Sequence, residues 1–141
     1  MTGAELVHVL LVEDSVADVE LTLEAMADAK VANDVVVVRD GAAALERLRS
    51  HEHALPDLVI LDLNLPRMSG HEVLAAMRAD DRLRRIPVAV LTTSAAEADV
   101  VRTYDLGANC YLTKPVDVDQ FLHVVQSIEH FWLGLVRRPP R

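Results

Sequence analysis

Five short apolar runs alternate with longer segments of helical period, and that alternation constrains the fold more than any other feature of the chain. The runs are Val7–Val12, interrupted only by His8, then Val35–Val38, Leu58–Leu61, Val88–Leu91 and Asn109–Leu112. Four consecutive valines are too β-branched and too short for a helix. Between the runs, Val16, Val19, Leu23 and Met26 keep helical spacing over Val16–Ala29. Gly41 opens a helix carrying Ala44, Leu45 and Leu48, and Gly70–Arg78 turns Val73, Leu74 and Met77 inward. A helix over Ala95–Leu106 stops at Gly107, which suits a left-handed cap, and Val118–Leu133 forms the last one. Runs that are apolar throughout belong to a parallel sheet covered on both faces. Right-handed crossovers then give an α/β fold, a doubly wound five-stranded parallel sheet with helices on both faces.

Bulk properties narrow the class further. With 141 residues, 51% of them hydrophobic, the chain fills one domain and is short for two. The single cysteine, Cys110, excludes an internal disulfide and fits a reducing cytosol. A net charge of -8 argues against direct nucleic-acid binding, and Arg137, Arg138 and Arg141 are too few to reverse it. The run Leu6–Val12 contains His8 and follows no basic residues, so it is not a targeting segment. No run approaches a membrane span. The expectation is a cytoplasmic domain over residues 5–136, then a short basic tail over 137–141.

The polar residues at the ends of the runs point to chemistry. Glu13 and Asp14 follow the first run, Asp62 the third and Thr92 the fourth, and Lys114 comes just after the fifth. In a parallel sheet these side chains gather on the carboxyl edge, where open α/β sheets bind ligands. Three carboxylates, a hydroxyl and an ammonium suit a divalent cation and a phosphoryl group. Asp62 is the candidate phosphoacceptor, since a carboxylate can attack phosphorus to give an acyl phosphate. Both reactants are anionic, and Glu13 and Asp14 deepen the repulsion unless a hard cation such as Mg²⁺ binds. Lys114 supplies a cation to phosphoryl oxygens, and Thr92 a hydrogen bond. A cis bond before Pro115 would aim Lys114 back over the edge. Singly these signals are weak, because acids after a strand usually mark a helix N-terminus. The combination carries the reading.

The segments VLLVEDS (Val9–Ser15), LVILDLNLPRMSG (Leu58–Gly70), VAVLTTS (Val88–Ser94) and NCYLTKP (Asn109–Pro115) resemble the receiver domains of two-component response regulators. The resemblance spans nearly all of Leu6–Trp132. It implies a flavodoxin-like sheet of strand order 2-1-3-4-5 and phosphoryl transfer from a histidine kinase to Asp62. It also implies that Asp14 ligates Mg²⁺ directly, Glu13 acts through water and the Asn64 carbonyl completes the metal site. Thr92 and Tyr111 become the switch pair and Lys114 the phosphate-binding lysine. NCYLTKPVDVDQF and SIEHFWLGLV resemble the stand-alone regulators that partner phytochrome-type kinases, and Pro139–Arg141 leaves no room for a fused output domain. Three positions depart from the commonest receiver pattern. Thr93 is expected to narrow access to Asp62, Ser94 to tune phosphoryl lifetime, and Glu13 to lengthen the reach to a bridging water.

Rival readings are weaker. A haloacid-dehalogenase-like phosphatase would need a general acid two residues after Asp62, where Asn64 cannot deliver a proton. A flavin phosphate would be repelled by Glu13 and Asp14. A phosphate sink, or a degenerate receiver acting by binding alone, is the remaining alternative. For output to a downstream protein, the last helix offers a stripe of Phe121, Val125, Ile128, Trp132 and Leu135, flanked by Leu122, Val124, Phe131, Leu133 and Val136. A symmetric homodimer is expected, with Phe121, Leu122, Val125, Phe131, Trp132 and Leu135 as its dimer or partner surface. His51, Glu52 and His53 read as a solvated loop, Cys110 as a small buried hydrophobe, and Arg82, Arg84 and Arg85 as a further partner contact.

Overall fold

The computed structural model describes residues 6–28, 32–92, 107–108 and 110–134, with the backbone alone at 92, 110, 111 and 127–134. Along the chain run β1 (Val7–Val12), α1 (Val16–Asp28), β2 (Asn33–Val38), α2 (Gly41–Arg49), β3 (Leu58–Asp62), α3 (Gly70–Arg78), β4 (Val88–Thr92), β5 (Cys110–Thr113) and α4 (Val118–Gly134). All pairings are parallel and the order is β2-β1-β3-β4-β5, the expected flavodoxin-like sheet. The expected helix before Gly107 lies outside the described residues. Gly107 itself has φ +90°, the left-handed conformation that glycine adopts freely.

Four strands run past the expected bounds, and pairing explains them: β3 and β4 gain Asp62 and Thr92, which pair with Leu91 and Thr113. β2 begins at Asn33 because Asn33 and Asp34 pair with Val7 and His8, overriding their low strand propensity. β5 runs one residue further, to Thr113, which pairs with Thr92. Helix starts follow side-chain caps. Asp40 accepts from the Ala43 N–H at 2.8 Å, and Ser69 forms a capping box with Glu72.

Alternate residues of each strand feed separate cores. Leu10, Val12, Val59, Leu61, Val88 and Val90 face α2 and α3, which pack on each other. Val9, Leu11, Leu58, Ile60, Ala89 and Leu112 face α1 and α4. α4 sends Phe121, Val124 and Val125 into this second core, with Phe121 0% and Val125 3% exposed. That corrects the expectation for two residues of the dimer surface: Phe121 and Val125 are already covered within one chain. Leu122 is half-buried against the same core. The side chains of Phe131 and Trp132, and all of Leu135, fall outside the described residues.

In the basic connection after α3, Arg84 and Arg85 are exposed and Arg82 is half-buried. Arg82 Nη1 donates to the Leu48 carbonyl at 2.9 Å, tying α2 to the connection rather than offering its charge outward. Arg78 donates from Nε to Gly107 O at 3.1 Å and from Nη1 to Arg84 O at 2.7 Å. Burial lowers the Arg78 pKa, but a guanidinium stays charged far above neutrality.

Candidate functional site

The β1–β3 register pairs Val12 with Leu61, so one further step sets Glu13 beside Asp62. Glu13 continues the row of Val9 and Leu11, and Asp62 the row of Leu58 and Ile60. Each row therefore ends in an acid, and both acids are buried, Glu13 at 0% and Asp62 at 1% exposed. Asp14, the next residue after Glu13, is exposed. Glu13, Asp14 and Asp62 each bring a carboxylate oxygen to within 4.8 Å of the others. Three hard oxygen donors at this spacing fit a divalent cation. Among the described residues no other group of three His, Cys, Asp or Glu side chains converges in this way. His51, Glu52 and His53 accordingly stay a loop.

Lys114 faces the acids from just past β5, and a cis peptide bond joins it to Pro115. Its Nζ lies 2.9 Å from Asp62 Oδ2, 2.9 Å from Glu13 Oε2 and 3.1 Å from Asp18 Oδ2. Gln120, on the first turn of α4, braces the turn that carries Lys114. It accepts from the Thr113 N–H at 3.0 Å and donates to the carbonyls of Thr113 and Pro115 at 3.2 and 3.3 Å. The other Asp62 oxygen, Oδ1, accepts from the Asn64 N–H at 3.0 Å. Gly70 opens α3 directly against this strand end, where a side chain would run into Asp62 O and Leu63 Cα. Thr92 ends β4 and Tyr111 lies in β5, paired with Val90, with backbone alone described at both. Thr93 lies outside the described residues.

Asp18 and Gln120 were not anticipated from sequence. The available signal for Asp18 was its place in the first turn of α1, four residues after Asp14. Nothing local shows that a lysine 96 residues away reaches it.

Electrostatics follow from burial. Desolvation pushes the Glu13 carboxyl up, Lys114 pulls it back and Asp62 pushes it further, leaving its pKa at about 7 rather than 4.5. Desolvation alone would depress Lys114, but Glu13 and Asp62, with Asp18, hold it above the ordinary 10.5. A carboxyl whose pKa is raised by folding binds its proton more tightly in the native state. Its stabilising contribution is full below about 4.5 and is lost as pH rises through about 7. Lys114 stays protonated in both states across that window. Metal-free protein is therefore expected to lose stability between those two values in urea melts, and Glu13→Gln to flatten the profile. A profile unchanged by Glu13→Gln would contradict this origin.

A cavity of about 500 Å³ opens at the opposite, amino edge of the sheet. His8, Asp34, Arg47, Glu52 and His53 are on its rim, over Leu55. It lies away from the acids and gathers no comparable donor set.

A doubly wound parallel sheet of order β2-β1-β3-β4-β5, with buried carboxylates and a lysine ammonium at its carboxyl edge, places the chain in the class of flavodoxin-like α/β domains. The chain belongs to the response regulator receiver domain family, which matches residues 9–126. It is 44% identical to the response regulator Rcp1 of Synechocystis sp. over 135 residues, covering 93% of this chain and 92% of Rcp1. The Mn²⁺-bound structure of Rcp1 superposes with a TM-score of 0.73 at 43% identity, covering 94% of this chain and 99% of that one. The bacteriophytochrome response regulator RtBRR gives 0.80 at 44%, covering 96% and 85%. The phosphorylated cyanobacterial phytochrome response regulator RcpA gives 0.76 at 44%, covering 96% and 100%. Among the described residues no helix is long and apolar enough to cross a membrane.

Proposed function

We propose that this chain is a response regulator with a receiver domain over residues 5–136 and a basic tail over 137–141, whose Asp62 accepts phosphoryl from a phytochrome-type histidine kinase. The observation that carries the chemistry is a buried carboxylate held on both oxygens, by Lys114 Nζ at 2.9 Å and the Asn64 N–H at 3.0 Å. That clamp orients Asp62 for in-line attack. A carboxylate lone pair forms the new O–P bond as the P–N bond to the donor imidazole breaks. The imidazole nitrogen keeps the electron pair and takes a proton from solvent. Lys114 offsets charge on the transferred oxygens.

Glu13, Asp14 and Asp62, with the Asn64 carbonyl, are read as the residues that would hold Mg²⁺. Bound there, the ion would screen the acids from the incoming phosphoryl group. Asn64 cannot act as a general acid, so the phosphoaspartate persists as a signal requires. Thr92 and Tyr111 are read as the pair that reports the new charge, a population shift started by one local event. Thr93 is read as a residue that slows phosphotransfer to Asp62. The kinase type rests on the likeness to RtBRR and RcpA, a bacteriophytochrome and a cyanobacterial phytochrome response regulator, and a cytoplasmic setting goes with it. A homodimer through Leu122, Phe131, Trp132 and Leu135 completes the reading. Sedimentation as a monomer, with and without phosphodonor, would remove that last part.

Intact-mass spectrometry after incubation with acetyl phosphate, with and without Mg²⁺, tests the chemistry. One Mg²⁺-dependent phosphoryl adduct is expected, absent from Asp62→Asn. An adduct that survives that substitution, or none on folded protein, overturns the assignment.

A further inference from the structure

Lys114 has three N–H donors, and three carboxylates surround its ammonium. To bind a phosphoryl oxygen it must release one of them. The three releases are unequal. Glu13 Oε2 is buried and has no hydrogen-bond partner, so the ion pair with Lys114 is its main compensation. Asp62 is buried and is the acceptor itself. Losing Lys114 from Glu13, or from Asp62 before its oxygen bonds phosphorus, would strand charge away from water. Asp18 differs: its side chain is 31% exposed, its bond is the longest of the three, and its oxygen can return to solvent. Ser15 holds Asp18 in place, its Oγ accepting from the Asp18 N–H at the start of α1.

We propose that Asp18 is a positioning residue that restrains Lys114 in the unphosphorylated protein and so slows phosphorylation of Asp62. The bond between Asp18 and Lys114 stabilises the ground state and is given up as the ammonium turns to the transferred group. An interaction present before the transition state and absent within it raises the barrier by its own strength. The same bond tethers α1 to the turn after β5 across the site, so this tie is broken on phosphorylation.

This inference rests on the reading of Asp62 as phosphoacceptor. Its test is the rate of adduct formation from acetyl phosphate, in which Asp62 oxygen bonds to phosphorus and acetate leaves with the P–O electron pair. Asp18→Ala is expected to be phosphorylated about threefold to fivefold faster, the scale of a partly exposed ion pair. Asp18→Glu, which keeps the charge and can reach the ammonium, is expected to restore the slow rate. Glu20→Gln removes the same charge from the exposed face of α1 and is expected to leave the rate unchanged. In a Lys114→Ala background, Asp18→Ala is expected to change nothing further, as a double-mutant cycle requires. Equal acceleration by Glu20→Gln, or an Asp18→Ala effect that persists without Lys114, would show bulk charge at work and overturn the proposal. A wild-type rate in Asp18→Ala would do the same. Absence of any adduct on wild type would instead refute the phosphoacceptor reading itself.

Discussion

Lys114→Ala is expected to destabilise the metal-free protein by about 3 kcal/mol near neutral pH, and by less in acid. The substitution removes the ammonium 2.9 Å from both Glu13 and Asp62 and leaves two buried acids facing each other. Their relief is protonation, which Glu13 already favours at about pH 7. The deficit against wild type should therefore shrink as pH falls, because the variant then carries fewer unpaired charges. Urea denaturation at about pH 5 and about pH 8 reads the difference. A loss of equal size at both values would mean that Lys114 contributes packing rather than charge. Mg²⁺ is expected to recover much of the loss at the higher pH, since a cation held by the same acids replaces the missing one.

Phe121→Ala is expected to cost about 3–5 kcal/mol, the range for deleting a fully buried aromatic side chain. Phe121 is 0% exposed and sits in the α1/α4-side core with Leu112, Val116 and Val125. Leu122→Ala, one residue on and only half-buried, is expected to cost about 1 kcal/mol. Had Phe121 lined an interface, its removal would change the association state and spare the fold. Chemical denaturation together with sedimentation separates these outcomes. A stable Phe121→Ala protein with altered association would place Phe121 at an interface rather than in the core.

Where local chemistry sets an element, the sequence showed it to the residue. β1, α2 and α3 fall as expected because their ends are marked by Glu13, by the Asp40 cap and by the capping box of Ser69 and Glu72. Where a distant partner sets the boundary, it did not. Asn33 and Asp34 are strand residues only because Val7 and His8 lie beside them. The acids and Lys114 were legible as a group because each ends an apolar run and parallel topology brings run ends together. The part played by Asp18 was not legible, since it depends on the path of one long side chain across the sheet edge. Phe121 and Val125 were misread for a related reason. A broad apolar band on α4 reveals that a helix buries one side, but the orientation over β5 decides which residues form it. Arg82 looked like a free charge until its carbonyl partner on α2 was placed.

Segregation of the two cores has a consequence for how such a domain can diversify. Glu13 and Asp62 extend the rows that pack against α1 and α4, whereas the buried rows facing α2 and α3 are apolar. Changes beneath α1 and α4 press on residues that adjoin the acids. Changes beneath α2 and most of α3 are separated from them by the thickness of the sheet, with Gly70 the point where that insulation fails. One layer is thus bound to the chemistry while the other is comparatively free to drift, and a lineage can acquire new recognition there without retuning the pocket.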